Sequence, residues 1–272
     1  MWRRHWGLTR NPFDGRIPPY VPTPTHAEAV ARLVHAVDSA ERSARLVAEP
    51  GLGKTVVLEQ ALNLARDPSR RIARIAAPLD TESFYANLAE RLGRRVEPGT
   101  GVGRAWRALS DAVRLCQLQG LSVVFAVDDA HLLPNPADLD RLRHLDPDAR
   151  ITLLQVQRPV EDAVDTPFPT DWPLPVRLVP LTRAETANYL DVRISAADRV
   201  GPIFTPRAVT QLHALSGGVP RGVDRLAALA LMAGAVRGLE MVTPDVIDGA
   251  ARECNLASTV PAIPRPGGWL EL

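Results

Sequence analysis

Between Ala48 and Leu62 the chain reads AEPGLGKTVVLEQAL. An apolar stretch, ARLVA at 44–48, runs into it, and the helical pattern KTVVLEQALNLA follows. A glycine-rich turn between a strand and a helix is the setting a phosphate-binding loop needs. Backbone N–H groups of Gly51 through Thr55 wrap phosphate there, aided by the positive end of the helix. The pattern G-x-x-x-x-G-K-[ST] is complete except at its first position, where Ala48 replaces glycine. Alanine is the smallest replacement and is tolerated wherever φ is negative. The segment therefore predicts a site for ATP or ADP lined by Glu49, Pro50, Gly51, Leu52, Gly53, Lys54, Thr55 and Val56. Lys54 would reach the β- and γ-phosphates, and the Thr55 hydroxyl would ligate Mg2+.

Working outward, short apolar segments alternate with helical ones. RRIARIAA (70–77), LSVVFAV (121–127), ITLLQVQ (151–157) and VRLVPL (176–181) read as strands. Strands apolar on both faces and separated by helices predict a five-stranded parallel α/β sheet covered on each side. Beyond Pro180 the pattern becomes wholly helical. TPRAV places Thr205 as N-cap and Pro206 at the first helical position, and Gly217-Gly218 ends that helix. At the other end, the proline-rich first 25 residues predict an extended arm packed on the main body.

The 272 residues are 46% hydrophobic and 23% charged, a globular balance with a net charge of +1. Overall charge gives no vote for nucleic acid. Cys116 and Cys254 stand far apart, which argues against a disulfide framework or a zinc site. The start, MWRRHWGLTRNPF, lacks the apolar core of a signal peptide, and no run approaches a membrane span. The expectation is a soluble, cytoplasmic protein.

A second segment supports the first. LSVVFAVDDAH is an apolar strand ending in two aspartates. Asp128 would hold Mg2+, directly or through water, beside the phosphate loop. Asp129 stands where such sites carry a glutamate that deprotonates water, with its carboxylate roughly 1.5 Å further back. The alternative is that Asp129 caps the next turn.

With these segments placed, the chain resembles AAA+ ATPases of the ExeA/GspA type, relatives of the TniB/TnsC-like ATPases of transposons. HWGLTRNPF with PTHAEAVARL, AEPGLGKT, VVFAVDDAH, VPLTRAETANYL and IFTPRAVTQLHALSGGVPRGVDRLAALAL resemble its blocks in order and spacing. The resemblance implies an N-terminal arm at 1–25, a P-loop AAA+ core at 26–181, a small all-α lid at 182–255 and an irregular tail at 256–272. It implies that Arg221, in GGVPR, is the sensor-2 arginine reaching the γ-phosphate. ITLLQVQRP takes the place of the sensor-1 strand, so Gln155 or Gln157 would contact the γ-phosphate or the attacking water. Gln157, at the strand end, is preferred; a buried hydrogen-bonding role is the alternative.

One departure concerns turnover. Where relatives carry an arginine finger, this chain has Asp171 and Trp172, leaving Arg158 and Arg177 as substitutes. Such a finger is worth about 10³–10⁵ in rate. Nucleotide binding with slow hydrolysis is therefore expected. Arg70, Arg71 and Arg74 would either meet DNA in a ring channel or be solvated. The resemblance implies a self-assembling ATP-dependent switch with duplex DNA and a transposase, or a secretion component, as partners. The chain ends without the membrane span and wall-binding domain of secretion members, which tilts the expectation towards DNA. A nucleotide-gated binding module without hydrolysis is the reading from a different class.

Overall fold

The computed structural model describes residues 1–14, 20–77, 80–159 and 176–254. They fall into two units, Pro22–Val179 and Met1–Val21 with Pro180–Leu272.

The first unit is the α/β body. Its strands are β1 (Ser43–Val47), β2 (Arg70–Ala76), β3 (Ser122–Asp128), β4 (Ile151–Gln157) and β5 (Val176–Arg177). They form one sheet in the order β2-β3-β4-β1-β5, and every pairing is parallel. The five-stranded parallel sheet read from the sequence is thus present. β5 covers two residues of the six-residue stretch VRLVPL, and the Leu178 N–H adds a bond to the Val47 carbonyl at 3.2 Å. The order also fixes the site. β4 lies between β1, which feeds the glycine loop, and β3, which ends in the aspartates, so their carboxyl ends converge.

Helices cover the sheet. The body's helices are α2 (Pro24–Asp38), α3 (Lys54–Leu64), α4 (Thr81–Arg91), α5 (Val102–Leu118) and α6 (Ala137–Arg143), numbered after the short α1 (Trp2–His5) of the arm. Phe84, Tyr85 and Leu88 of α4 and Leu109 and Val113 of α5 bury against Val123, Phe125 and Val127. α3 buries Val57, Leu58, Ala61 and Leu62.

The second unit contains α7 (Arg183–Ser195), α8 (Pro206–Ser216), α9 (Pro220–Val236) and α10 (Pro244–Glu253). Thr205 caps α8 by accepting from the Ala208 N–H, with Pro206 next. Gly217 ends the helix at φ 60°. Gly218 follows at φ 70°, where a Cβ would stand 2.2 Å from the Leu181 carbonyl oxygen, so no side chain fits.

The arm, Met1–Val21, groups with this helical unit. Trp6 is 2% exposed, and its indole N–H donates to the Leu231 carbonyl at 2.8 Å. Its ring lies where a Cβ on Gly234 would approach within 2.9 Å. Arg193 donates from Nε to the Pro12 carbonyl at 2.7 Å. Burying Trp6, Leu8 and Phe13 contributes about 1.5–3 kcal/mol per large side chain, which explains why an arm so rich in proline and aromatics is not left in solvent.

Candidate nucleotide site

The loop between β1 and α3 has the backbone that phosphate binding needs. Gly53 caps α3 in the left-handed region, φ 88°, which a side chain rarely adopts. Ala48 is not among the residues with positive φ, so the missing glycine costs nothing in backbone strain.

His26, at the start of α2, holds this loop from behind. It is 6% exposed, and Nε2 donates to the Leu52 carbonyl at 2.8 Å. Nδ1 stands 2.6 Å from the Thr23 hydroxyl, and Thr23 also caps α2. A Cβ on Gly53 would lie 3.1 Å from His26 Nε2. The tight loop and the buried imidazole therefore fit one another. In the sequence, PTHAEA carries no motif that would announce this role for His26.

Lys54 is 8% exposed. Its ammonium donates to the Ala48 carbonyl at 2.7 Å and the Glu49 carbonyl at 3.0 Å. Burial pulls its pKa down; Asp129, Asp128 and Glu49 pull it up, and Arg158 pushes it down further. Arg158, just beyond β4, is thus close enough to act on the lysine electrostatically.

The Thr55 hydroxyl donates to Asp128 Oδ2 at 2.9 Å, and Asp128 is 4% exposed. Two predicted metal-site residues, 73 positions apart in the chain, are thereby joined. A hydroxyl and a single carboxylate fit Mg2+, which takes few protein oxygens and keeps waters and phosphates. Among the described residues no group of three or more His, Cys, Asp or Glu gathers as a cage for another ion.

Asp129 is half-buried and left-handed at φ 52°, a conformation aspartate tolerates better than most residues. Its side chain makes no cap bond to the following turn, Ala130–Leu132. The capping alternative therefore fails. His131, in the same turn, has both ring nitrogens buried with no hydrogen-bond partner among the described residues. Burial holds its pKa below the usual histidine range, while Asp129 opposes that shift and Arg158 and Lys54 add to it.

The other predicted residues divide. Gln155 is level with Val127, so Gln155 and Gln157 alternate onto the sheet face opposite Asp128. Gln155 is 1% exposed. Arg221 is exposed at the second position of α9, in the helical unit. Arg177 is exposed on β5, and Asp171 and Trp172 lie outside the described residues. Of the strand arginines, Arg70 pairs with Asp38 at 2.8 Å and Arg74 with Glu59 at 2.7 Å. Arg71 is exposed, whereas Arg70 and Arg74 are half-buried in these ion pairs rather than simply solvated. Cys116 and Cys254 are buried free thiols. No helix among the described residues is long and apolar enough to cross a membrane.

A glycine loop with lysine and threonine after the first strand of the chain, its threonine bonded to the aspartate that ends β3, is the arrangement of a P-loop nucleotide site. Residues 37–159, which lie within the α/β body, match the family described as AAA domain. The chain is 29% identical over 268 residues to general secretion pathway protein A of Aeromonas hydrophila. That match covers 94% of this chain and 49% of the relative, so the chain spans about half the length of the curated relative it matches. Among solved structures, Cdc6p of Pyrobaculum aerophilum aligns with a TM-score of 0.68 at 20% identity, covering 89% of this chain and 70% of that one. Drosophila ORC bound to DNA aligns with a TM-score of 0.72 at 14% identity, covering 92% and 66%. These two likenesses concern the fold alone.

Proposed function

We propose that the chain is an ATP-dependent switch that binds Mg·ATP at the Gly51–Thr55 loop, assembles with copies of itself, and hydrolyses ATP slowly to reset a partner complex. The observation that carries this reading is the Thr55–Asp128 hydrogen bond beside a buried Lys54. It brings the phosphate-binding and metal-binding segments to one point. Mg2+ would neutralise phosphate charge there, held by Thr55 and Asp128. Lys54 would exchange its bonds to the Ala48 and Glu49 carbonyls for phosphate oxygens. Asp129 is the group to accept a proton from water. Arg158 is a better candidate than Gln157 for a charge near the γ-phosphate, because it acts on Lys54 while Gln157 sits on the other sheet face. Arg221 is retained as the lid arginine on resemblance alone.

The partner is proposed to be a secretion-type assembly, since general secretion pathway protein A is similar over nearly the whole chain. A DNA-linked switch of the transposition type is the second reading, favoured by the fold likeness to ORC bound to DNA. Steady-state phosphate release tests both, with and without duplex DNA, beside a Lys54→Ala control. Release above the control supports hydrolysis. Stimulation by DNA, with salt-sensitive affinity, would move the reading to DNA. Nucleotide binding with no release above the control would reduce the protein to a nucleotide-gated binding module.

A further inference from the structure

A fixed positive charge stands beside the carboxylate expected to serve a metal ion. Arg74, on β2, donates from Nη1 to Glu59 Oε1 at 2.7 Å. Its Nη2 lies 3.6 Å from Asp128 Oδ2, the same oxygen that accepts the Thr55 hydroxyl at 2.9 Å. The sequence spacing produces this arrangement. Thr55 and Glu59 are four residues apart on α3 and so share a helix face. Arg74 is level with Ala126, and Ala76 with Asp128, which puts Arg74 and Asp128 on one face of the sheet. The result is a row of alternating charge, Glu59–Arg74–Asp128, that ends at the Thr55 hydroxyl. The Arg74 side chain is 33% exposed and that of Asp128 6%, so the arginine reaches inward from the rim of the site.

We propose that Arg74, tethered by Glu59, is a positioning residue that sets how much Mg2+ the nucleotide site requires. The proposal rests on the reading that this site takes Mg·nucleotide. Asp128 has two cations to choose between, a permanent guanidinium and a divalent ion, and their mutual repulsion weakens the ion's hold. Glu59 moderates that competition. It takes the shorter of the two arginine contacts, 2.7 Å against 3.6 Å, and so keeps the guanidinium from closing fully on Asp128. Glu59 thereby eases metal entry while Arg74 opposes it.

The test is a Mg2+ titration of the full chain with a fluorescent ATP analogue, read as binding and independent of hydrolysis. Arg74→Gln should lower the Mg2+ concentration for half-maximal binding by about tenfold, on the order of one close charge interaction at an effective dielectric of about 20, reduced by solvent. Arg74→Lys keeps the charge and should stay near the parent value. Glu59→Gln frees Arg74 to pair with Asp128 and should raise the requirement severalfold. Adding Glu59→Gln to Arg74→Gln should change little, because the group that Glu59 restrains is gone. A merely structural bridge would lower the melting temperature of the variants and leave the Mg2+ midpoint in place; that result, or a higher requirement in Arg74→Gln, overturns the proposal. Binding by the parent chain that ignores Mg2+ altogether would instead overturn the Mg·nucleotide reading beneath it.

Discussion

In the helical unit, Arg193, Tyr189 and Asp224 form a buried polar cluster; in the α/β body, Lys54, Asp128, Asp129 and His131 form another. The first is bonded across remote segments, with only Arg193 Nη2 of its polar atoms left without a partner among the described residues. Tyr189 donates to both Asp224 oxygens, at 2.9 and 3.1 Å. Arg193, with a side chain 0% exposed, bonds Asp224 at 3.2 Å and the Pro12 carbonyl at 2.7 Å, and lies over the Phe13 ring at 5.6 Å. The second cluster is open to exchange. Lys54 is bonded to carbonyls of its own loop, His131 has no partner among the described residues, and Asp129 sits in a left-handed conformation without a capping bond. Charges paired with groups from remote segments hold a fold together. Charges held near one another but incompletely matched can accept a ligand.

The strongest way to break this contrast is Asp224→Ala. It leaves Arg193 buried without its carboxylate and should cost about 3–5 kcal/mol. Hydrogen exchange of the Trp6 indole N–H reports it, because that group is bonded inside the same unit. Unchanged protection would mean that the cluster carries no structural load.

Acidity should sharpen the same point. Burial pushes Asp224 up to about 6 from 3.8, against the pull of Arg193 and the Tyr189 hydroxyl. The folded unit therefore holds this proton more tightly than the unfolded chain. The associated stability is fully present below about pH 3.8 and is lost as pH rises through about 6. Between those limits it amounts to at most about 3 kcal/mol. Trp6 exchange, corrected for intrinsic rates, should show greater protection at pH 5 than at pH 7.5, and Asp224→Asn should flatten that slope.

The smallest effect belongs to the nucleotide loop. His26→Ala removes the donor to Leu52 and should weaken binding of an ATP analogue by about tenfold, the worth of one buried hydrogen bond. His26→Gln, which restores an N–H, should recover part of it. Equal binding in all three chains would mean that the loop needs no support from α2.

The sequence makes legible what is local. The glycine loop, the strand ending in Asp128, and the Thr205 cap with Gly217 closing α8 each depend on neighbours a few residues away. Trp6 on Leu231, Arg193 on Pro12 and Arg74 on Asp128 do not. Each joins residues remote in the chain, so no local spacing announces the pair. His26 hid for another reason: a lone histidine at a helix start carries no spacing signal, and its role exists only once Gly53 is folded against it. Gln157 shows the same limit: its position at the strand end is legible in the sequence, but the face it takes depends on the register of β4 against its neighbours.

The route of the chain through the helical unit bears on its synthesis. Trp6 and Arg193 tie the first residues to helices made after the whole of Pro22–Val179 has emerged. The arm therefore waits unpaired, aromatics exposed, while the α/β body is translated. Folding of that body first would shorten the loop to be closed, since closure entropy grows with the length of free chain. Completion of the helical unit is then a late, nonlocal step. Until it is taken, Trp6, Leu8 and Phe13 form an apolar segment that a nascent-chain chaperone, or a neighbouring copy at the same stage, can occupy.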